Sequence, residues 1–291
     1  MELSDVSHPA LDAGSISSLV YHDQYDYPMT LEELTRWQCT TCHSRPDRES
    51  SLDPRLRGDD DMFGFKDGYY FLAGREKIVA VRQKRAKASE KKLQILKKYL
   101  PVFQRMPGIL FVGVTGSLAM GNASEGSDID LMVITKNNSL WLTRLITLII
   151  LIILRVPLRR AGNKQEKDKL CLNLWLDEIA ISWPVDDRSA FTAHEIAQVI
   201  PVVNKQHIYE RFTDGNLWIK DWWPNALVTP VSSIVIPAKA GIHTNILFKI
   251  LNFCAYRAQL WYMKSKITTE VVSPHRALFH PRVQSKVIFV P

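Results

Sequence analysis

Residues 114–135 read VTGSLAMGNASEGSDIDLMVIT, and the two halves of this stretch decide how the chain is read. The stretch begins at the end of GILFVGVT (108–115), a short apolar run that reads as a strand. Gly116 then allows a tight turn, and SLAMG can begin a helix. Backbone N–H groups at such a helix start, with the Ser117 hydroxyl, form a cradle for phosphate oxygens. In the second half, SDIDLMVIT alternates as a strand, so residues two apart project to the same side. Asp128 and Asp130 therefore point together. Like charges held that close repel unless a cation compensates them, so the pair argues for Mg²⁺. Between the halves, NASEGS (122–127) is a polar loop that returns the second strand beside the cradle. Either half alone is common, since many turns contain Gly-Ser and an acid can simply cap a strand. Their joint spacing points to one site.

That spacing carries a resemblance. Gly116-Ser117, ten intervening residues, then Asp128-Ile129-Asp130 followed by apolar LMV is similar to the nucleotidyltransferase superfamily of the DNA polymerase β type, in particular its minimal nucleotidyltransferase-like members. The resemblance implies an α+β fold with a mixed β-sheet and helices on one face. It implies an NTP held at Gly116 and Ser117, and a metal held by Asp128 and Asp130. The implied reaction is in-line attack of an acceptor hydroxyl on the α-phosphate, releasing pyrophosphate. The superfamily usually adds a third carboxylate from a later strand. Here that strand is KLCLNLWLDE (169–178), with Leu170, Leu172, Leu174 and Leu176 on one face and Cys171, Asn173 and Trp175 on the other. The polar residue in the expected place is Asn173, so the implied catalytic set is Asp128, Asp130 and Asn173. An amide offers a carbonyl to a metal but cannot accept the acceptor's proton. Asp177, two steps past Trp175, substitutes if the strand shifts or bends. Of the downstream cations Arg159, Arg160, Lys164, Lys167 and Lys169, the sequence singles out none.

The remainder of the 291 residues suits two or three domains, at roughly 100–200 residues each. A hydrophobic content of 46% supports a packed core, and a net charge of +7 suits a polyanionic partner. The first residues, MELSDVSHPALDAG, are acidic early and contain no apolar run, which gives no signal peptide. The strongest apolar run, LITLIILIIL (145–154), would span about 15 Å as a helix, half of a hydrocarbon core about 30 Å thick. It reads as a buried helix lying on the sheet, and the protein as cytoplasmic with no membrane partner. Two of the four cysteines lie in CTTCH (39–43), which matches a haem-attachment pattern without the export signal that chemistry needs, and half a zinc site without its second pair. It reads as coincidence.

Residues 1–74 read as a winged-helix-like unit. Thr30 and Glu33 form a capping box ahead of a helix, and Asp67-Gly68 between aromatic runs signals a hairpin. Between them, CHSRPDRESSLDPRLRGDDD (42–61) stands where a recognition helix belongs. It resembles translated short repetitive elements scattered through bacterial genomes, as does SSIVIPAKAGIH (232–243). Both therefore read as inserted loops, the first at about 44–61, without chemistry of their own. Residues 75–107 read as a linking helix whose 75–98 segment holds ten Lys/Arg against Glu76 and Glu90, a surface able to lean on nucleic acid. Residues 108–190 form the nucleotidyltransferase core and 191–291 a helical C-terminal region. More loosely, the whole chain resembles a bacterial family with a winged-helix-like front, this central domain and a helical tail. Two functions are in view: Mg²⁺-dependent transfer of a nucleoside monophosphate from NTP to an acceptor, or nucleotide sensing by a DNA-binding regulator with weakened catalysis.

Overall fold

The computed structural model describes residues 11–40, 62–159, 166–227, 246–264, 267 and 270–279. The apolar and alternating patterns resolve into two units, one made of the N-terminal residues to Arg82 with Ile219–Leu227, the other of Gln83–Trp218 with the C-terminal elements.

In the first unit, α1 (Ala13–Asp23) is capped by Asp12, whose side chain accepts from the Ser15 N–H at 2.7 Å. Helix α2 (Leu31–Arg36) carries the expected capping box: the Glu33 N–H donates to Thr30 Oγ1 at 3.2 Å and the Thr30 N–H to Glu33 Oε2 at 2.9 Å. Strands β1 (Phe63–Lys66) and β2 (Tyr69–Leu72) form the hairpin, with Lys66 opposite Tyr69. Asp67 and Gly68 both have positive φ, 52° and 84°, as a two-residue turn matched to strand twist requires. Trp223 closes this unit, its ring 5.1 Å from Tyr21 and 5.9 Å from Trp37. Two helices and a hairpin are thus present. Residues 42–61, read as standing in for a recognition helix, lie outside the described residues, as do Cys42, His43 and 232–243.

Helix α3 (Lys77–Lys97) begins in the first unit and continues into the second. The second unit then runs α4 (Leu100–Arg105), β3 (Ile109–Val114), α5 (Gly116–Ala119), β4 (Ile129–Thr135), α6 (Leu140–Ile153), β5 (Leu170–Asp177), α7 (Ala190–Ala197), β6 (Ile200–Asn204), α8 (Ile208–Asp214), α9 (Ile246–Met263), β7 (Val271–Val272) and β8 (Arg276–Leu278). The sheet is mixed, in the order β6-β3-β4-β5-β8-β7, and only β4 and β5 run parallel. The chain is α+β. Strands β6, β7 and β8, from the region read as helical, complete both edges of the sheet. They are two to five residues long, too short to leave a period-2 pattern.

One face of the sheet carries the main core. Ile129, Leu131 and Val133 of β4, with Val112 and Val114 of β3, pack with Phe103 of α4 and Trp141 and Leu151 of α6, all essentially inaccessible. The opposite face of β3 is also covered, because Phe111 stacks on Tyr209 of α8 with ring centroids 5.7 Å apart. Helices therefore lie on both faces rather than one. Helix α6 does lie on the sheet, burying Leu140, Trp141, Thr143, Thr147 and Leu151, but its far side leaves Ile149, Ile152 and Ile153 exposed. No helix among the described residues is long and apolar enough to cross a membrane.

Candidate active site

Alternation along β4 puts Ile129 and Leu131 into the core and turns Asp128 and Asp130 to the other face. The turn after β3 meets them there. The Thr115 N–H donates to the Asp130 carbonyl at 3.1 Å, and Gly116 takes φ 61°. A Cβ at Gly116 would lie 3.0 Å from Asp130 Oδ2, so a side chain here would press on the carboxylate. The turn and the acids share one place, as the sequence suggested. Ser117 is exposed at the start of α5, which is only four residues long.

The loop between the halves is pinned by α3. The Ala123 N–H donates to Ser89 Oγ at 3.0 Å. Lys92, its side chain 1% exposed, donates from Nζ to the Ser127 carbonyl (2.7 Å), the Glu125 carbonyl (3.2 Å) and Asp168 Oδ1 (2.7 Å). Three acceptors match the three N–H bonds of an ammonium. Arg82, further back on α3, is also buried and pairs with Glu33 at 2.8 Å. Two of the cations in the basic helix thus have internal partners.

On β5 the register supplies the third position. Asp130 lies opposite Cys171 and Leu131 opposite Leu172, then the pairing slips so that Met132 faces Leu174. Asn173 is the extra residue of this β-bulge. Its amide nitrogen donates to Asp130 Oδ1 at 2.6 Å. The slip inverts the phase of the strand beyond it. Trp175 joins Val133 in the core, while Leu174 pairs with Met132, so the expected Cys171–Asn173–Trp175 face ends at the bulge. Asp177 does not reach the site. It pairs with Thr135, five residues along β4 from Asp130, which at about 3.3 Å per residue is on the order of 16 Å. Fully buried, it instead accepts from the Asn138 N–H at 2.7 Å and the Ile179 N–H at 3.3 Å, shaping the turns there.

Asp128, Asp130 and Cys171 each offer a ligand atom, all within 4.8 Å of one another. Burial and then the charge of Asp128 push the Asp130 carboxyl up to about 7. Burial, then the charges of Asp130 and Asp128, push the Cys171 thiol well up, which keeps it protonated and a poor ligand for a hard cation. Two carboxylate oxygens suit a hard divalent cation, which would relieve the part of the Asp130 shift that the charge of Asp128 adds to burial. The residues present therefore fit a divalent metal.

Of two further residues near the cluster, the sequence reading named Arg159 without singling it out and passed over Glu195. Arg159 Nη1 lies 2.8 Å from Asp128 Oδ2 and 3.7 Å from Cys171 Sγ, and Nη2 lies 2.7 Å from Glu166 Oε1. Burial works against this cation, but its contact with Cys171 and the charges of Asp128 and Glu166 outweigh that and raise its proton affinity. Nothing in the sequence distinguishes it from Lys167, which pairs with Glu125, or from Arg160 and Lys164, which lie outside the described residues. Glu195 on α7 is the second. Burial pushes its carboxyl up to about 7 against a 2.6 Å hydrogen bond from Gln198, and the charge of Asp130 adds to the push. Its signal was hidden inside an amphipathic helix.

The fold and the cluster define the class: an α+β domain whose sheet presents a glycine turn and paired carboxylates able to hold a cation. Residues 96–186 match the family model described as a nucleotidyltransferase domain, which supports the resemblance of this part of the chain to the nucleotidyltransferase superfamily. No curated protein and no solved structure matches the chain.

Proposed function

We propose that the protein moves a nucleoside monophosphate from an NTP to an acceptor hydroxyl in a Mg²⁺-dependent reaction. The observation that carries this reading is the approach of Gly116 to Asp130, which brings a phosphate cradle and a cation site to one point. In this reading Gly116 and Ser117 hold phosphate oxygens through the turn, and Asp128 and Asp130 hold the metal. When bound, the cation neutralises charge developing on the phosphates. The acceptor hydroxyl gives up its proton to solvent as its oxygen bonds to the α-phosphorus, the α–β bridge breaks, and pyrophosphate leaves. Positioning and charge supply most of such catalysis, so an amide at Asn173 slows the reaction without abolishing it. A polyanionic acceptor would find the exposed Lys84, Lys87 and Lys91 on α3, the first and last of which act on Glu125 of the pinned loop.

A second reading is favoured by Asn173 itself. With an amide where a third carboxylate is expected, the domain binds Mg²⁺ and NTP without turnover, as a nucleotide-sensing DNA-binding regulator whose DNA contacts come from the N-terminal unit. Labelled NTPs with Mg²⁺ separate the two. The transferase releases pyrophosphate, and Asp128→Asn with Asp130→Asn stops it. The regulator releases none but changes its DNA mobility shift when NTP is added. A chain that binds neither NTP nor Mg²⁺ refutes both.

A further inference from the structure

Arg159 is held at both ends. Its backbone N–H donates to the Leu170 carbonyl at 2.9 Å, beside the bridge between Leu158 and Leu170, so the side chain starts from a fixed point on the flank of β5. From there the guanidinium fork spans two carboxylates, Asp128 inside the cluster and Glu166 outside it. Asp128 is only 9% exposed at its side chain, while Arg159 and Glu166 are near 37% and 36%. One end of this bridge is thus buried in the candidate metal site and the other is open to solvent. The oxygen that Arg159 occupies belongs to one of the two carboxylates that would carry a cation.

We infer that Arg159 is a resident counter-cation whose hold on Asp128 excludes a divalent metal, so that loading the metal requires the guanidinium to leave Asp128 while Glu166 retains it. This deepens the nucleotidyltransferase reading and rests on its metal site. The electrostatics run in one direction. Without metal, Arg159 offsets the repulsion between Asp128 and Asp130. With metal, a unit charge and a double charge would share the Asp128 carboxylate, an arrangement that Coulomb repulsion opposes even with solvent nearby. The N–H fork is planar and suited to phosphate as well as carboxylate, so an arriving triphosphate gives the displaced guanidinium a new partner. The exposed Glu166 end lets it rotate out without breaking both contacts.

The test reads metal binding rather than turnover. Mn²⁺ is titrated into the full chain and free ion is followed by electron paramagnetic resonance, for wild type, Arg159→Gln, Arg159→Lys and Asp128→Asn, each checked for folding by its thermal melt. Arg159→Gln binds Mn²⁺ about tenfold tighter or more once the opposing charge is gone, Arg159→Lys stays close to wild type, and Asp128→Asn loses the site. Equal or weaker binding by Arg159→Gln, or equal tightening by Arg159→Lys, overturns the inference and leaves the metal site standing. If neither wild type nor Arg159→Gln takes up Mn²⁺, the metal reading itself falls and the inference with it. Wild type alone supplies an independent check: the ¹⁵N side-chain signal of Arg159 moves and exchanges faster as Mg²⁺ is added, and an unchanged signal at saturating Mg²⁺ overturns the exclusion.

Discussion

Replacing Lys92 by methionine keeps the apolar stem of the side chain and removes its ammonium with its three N–H bonds. In the folded protein this takes a donor from the carbonyls of Glu125 and Ser127, the second of which keeps its bond from the Asp168 N–H, and from one oxygen of Asp168, all served by a nitrogen whose side chain is 1% exposed. Removing one partner of a fully buried pair costs about 3–5 kcal/mol. Asp168 is 34% exposed and can turn to water, and methionine no longer needs an ammonium desolvated, so the expected net loss is about 2–3 kcal/mol. For a unit of this size that lowers Tm by roughly 5–10 °C, at about 2–4 °C per kcal/mol. The effect should also reach the site, because Ser127 immediately precedes Asp128 and its carbonyl accepts from the Asp168 N–H at 3.1 Å. Mn²⁺ affinity is therefore expected to fall along with Tm. Calorimetry for melting and paramagnetic titration for the metal measure the two separately. An unchanged or higher Tm refutes the clasp, and a lowered Tm with undiminished Mn²⁺ affinity shows that it serves stability alone.

Four further expectations concern the cluster. Asn173→Asp places a carboxylate beside Asp130; if the amide is what limits turnover, pyrophosphate release rises about a hundredfold or more, the lower end of what one added base supplies, and no rise removes Asn173 as the limit. Because the Asp130 carboxyl holds its proton up to about 7, Mn²⁺ affinity should climb as pH rises through 7 with about one proton released, as proton-linked calorimetry would record. The same raised value makes the folded state bind a proton that the unfolded chain has released, so this group's contribution to stability is full below about pH 4 and lost as pH rises to about 7, which melts across that range would show. Gly116→Ala forces a Cβ onto a φ of 61° and to 3.0 Å from Asp130 Oδ2; it should cost about 1–2 kcal/mol and weaken nucleotide binding, and wild-type binding by this variant would show that the turn is not the phosphate cradle.

What the sequence made legible is local. The capping box at Thr30, the turn at Asp67-Gly68 and the strand alternation at Asp128–Asp130 depend on residues within a few positions of each other, and each stands where its spacing put it. What stayed hidden depends on pairing between distant segments. The bulge at Asn173 comes from a slip of β5 against β4, and no feature of LCLNLWLD marks it, so the phase of Trp175 came out on the wrong face. The lysine that pins the loop is one cation among ten in its segment, and its burial is set only by what α3 packs against. Arg159 is equally anonymous, being defined by a carboxylate more than thirty residues before it.

The late arrival of the sheet's edges has a consequence for biogenesis. Strand β5, which carries Cys171 and Asn173, gains its outer neighbour only from Arg276–Leu278, and β3 gains Ile200–Asn204 only after α7 has formed. A nascent chain that has emerged through β5 thus displays an unprotected, leucine-rich border until Arg276–Leu278 has also been made, about a hundred residues later. Shortened forms ending before Arg276 should stick to one another or to chaperones, even though Asp128, Asp130 and Cys171 have all been made.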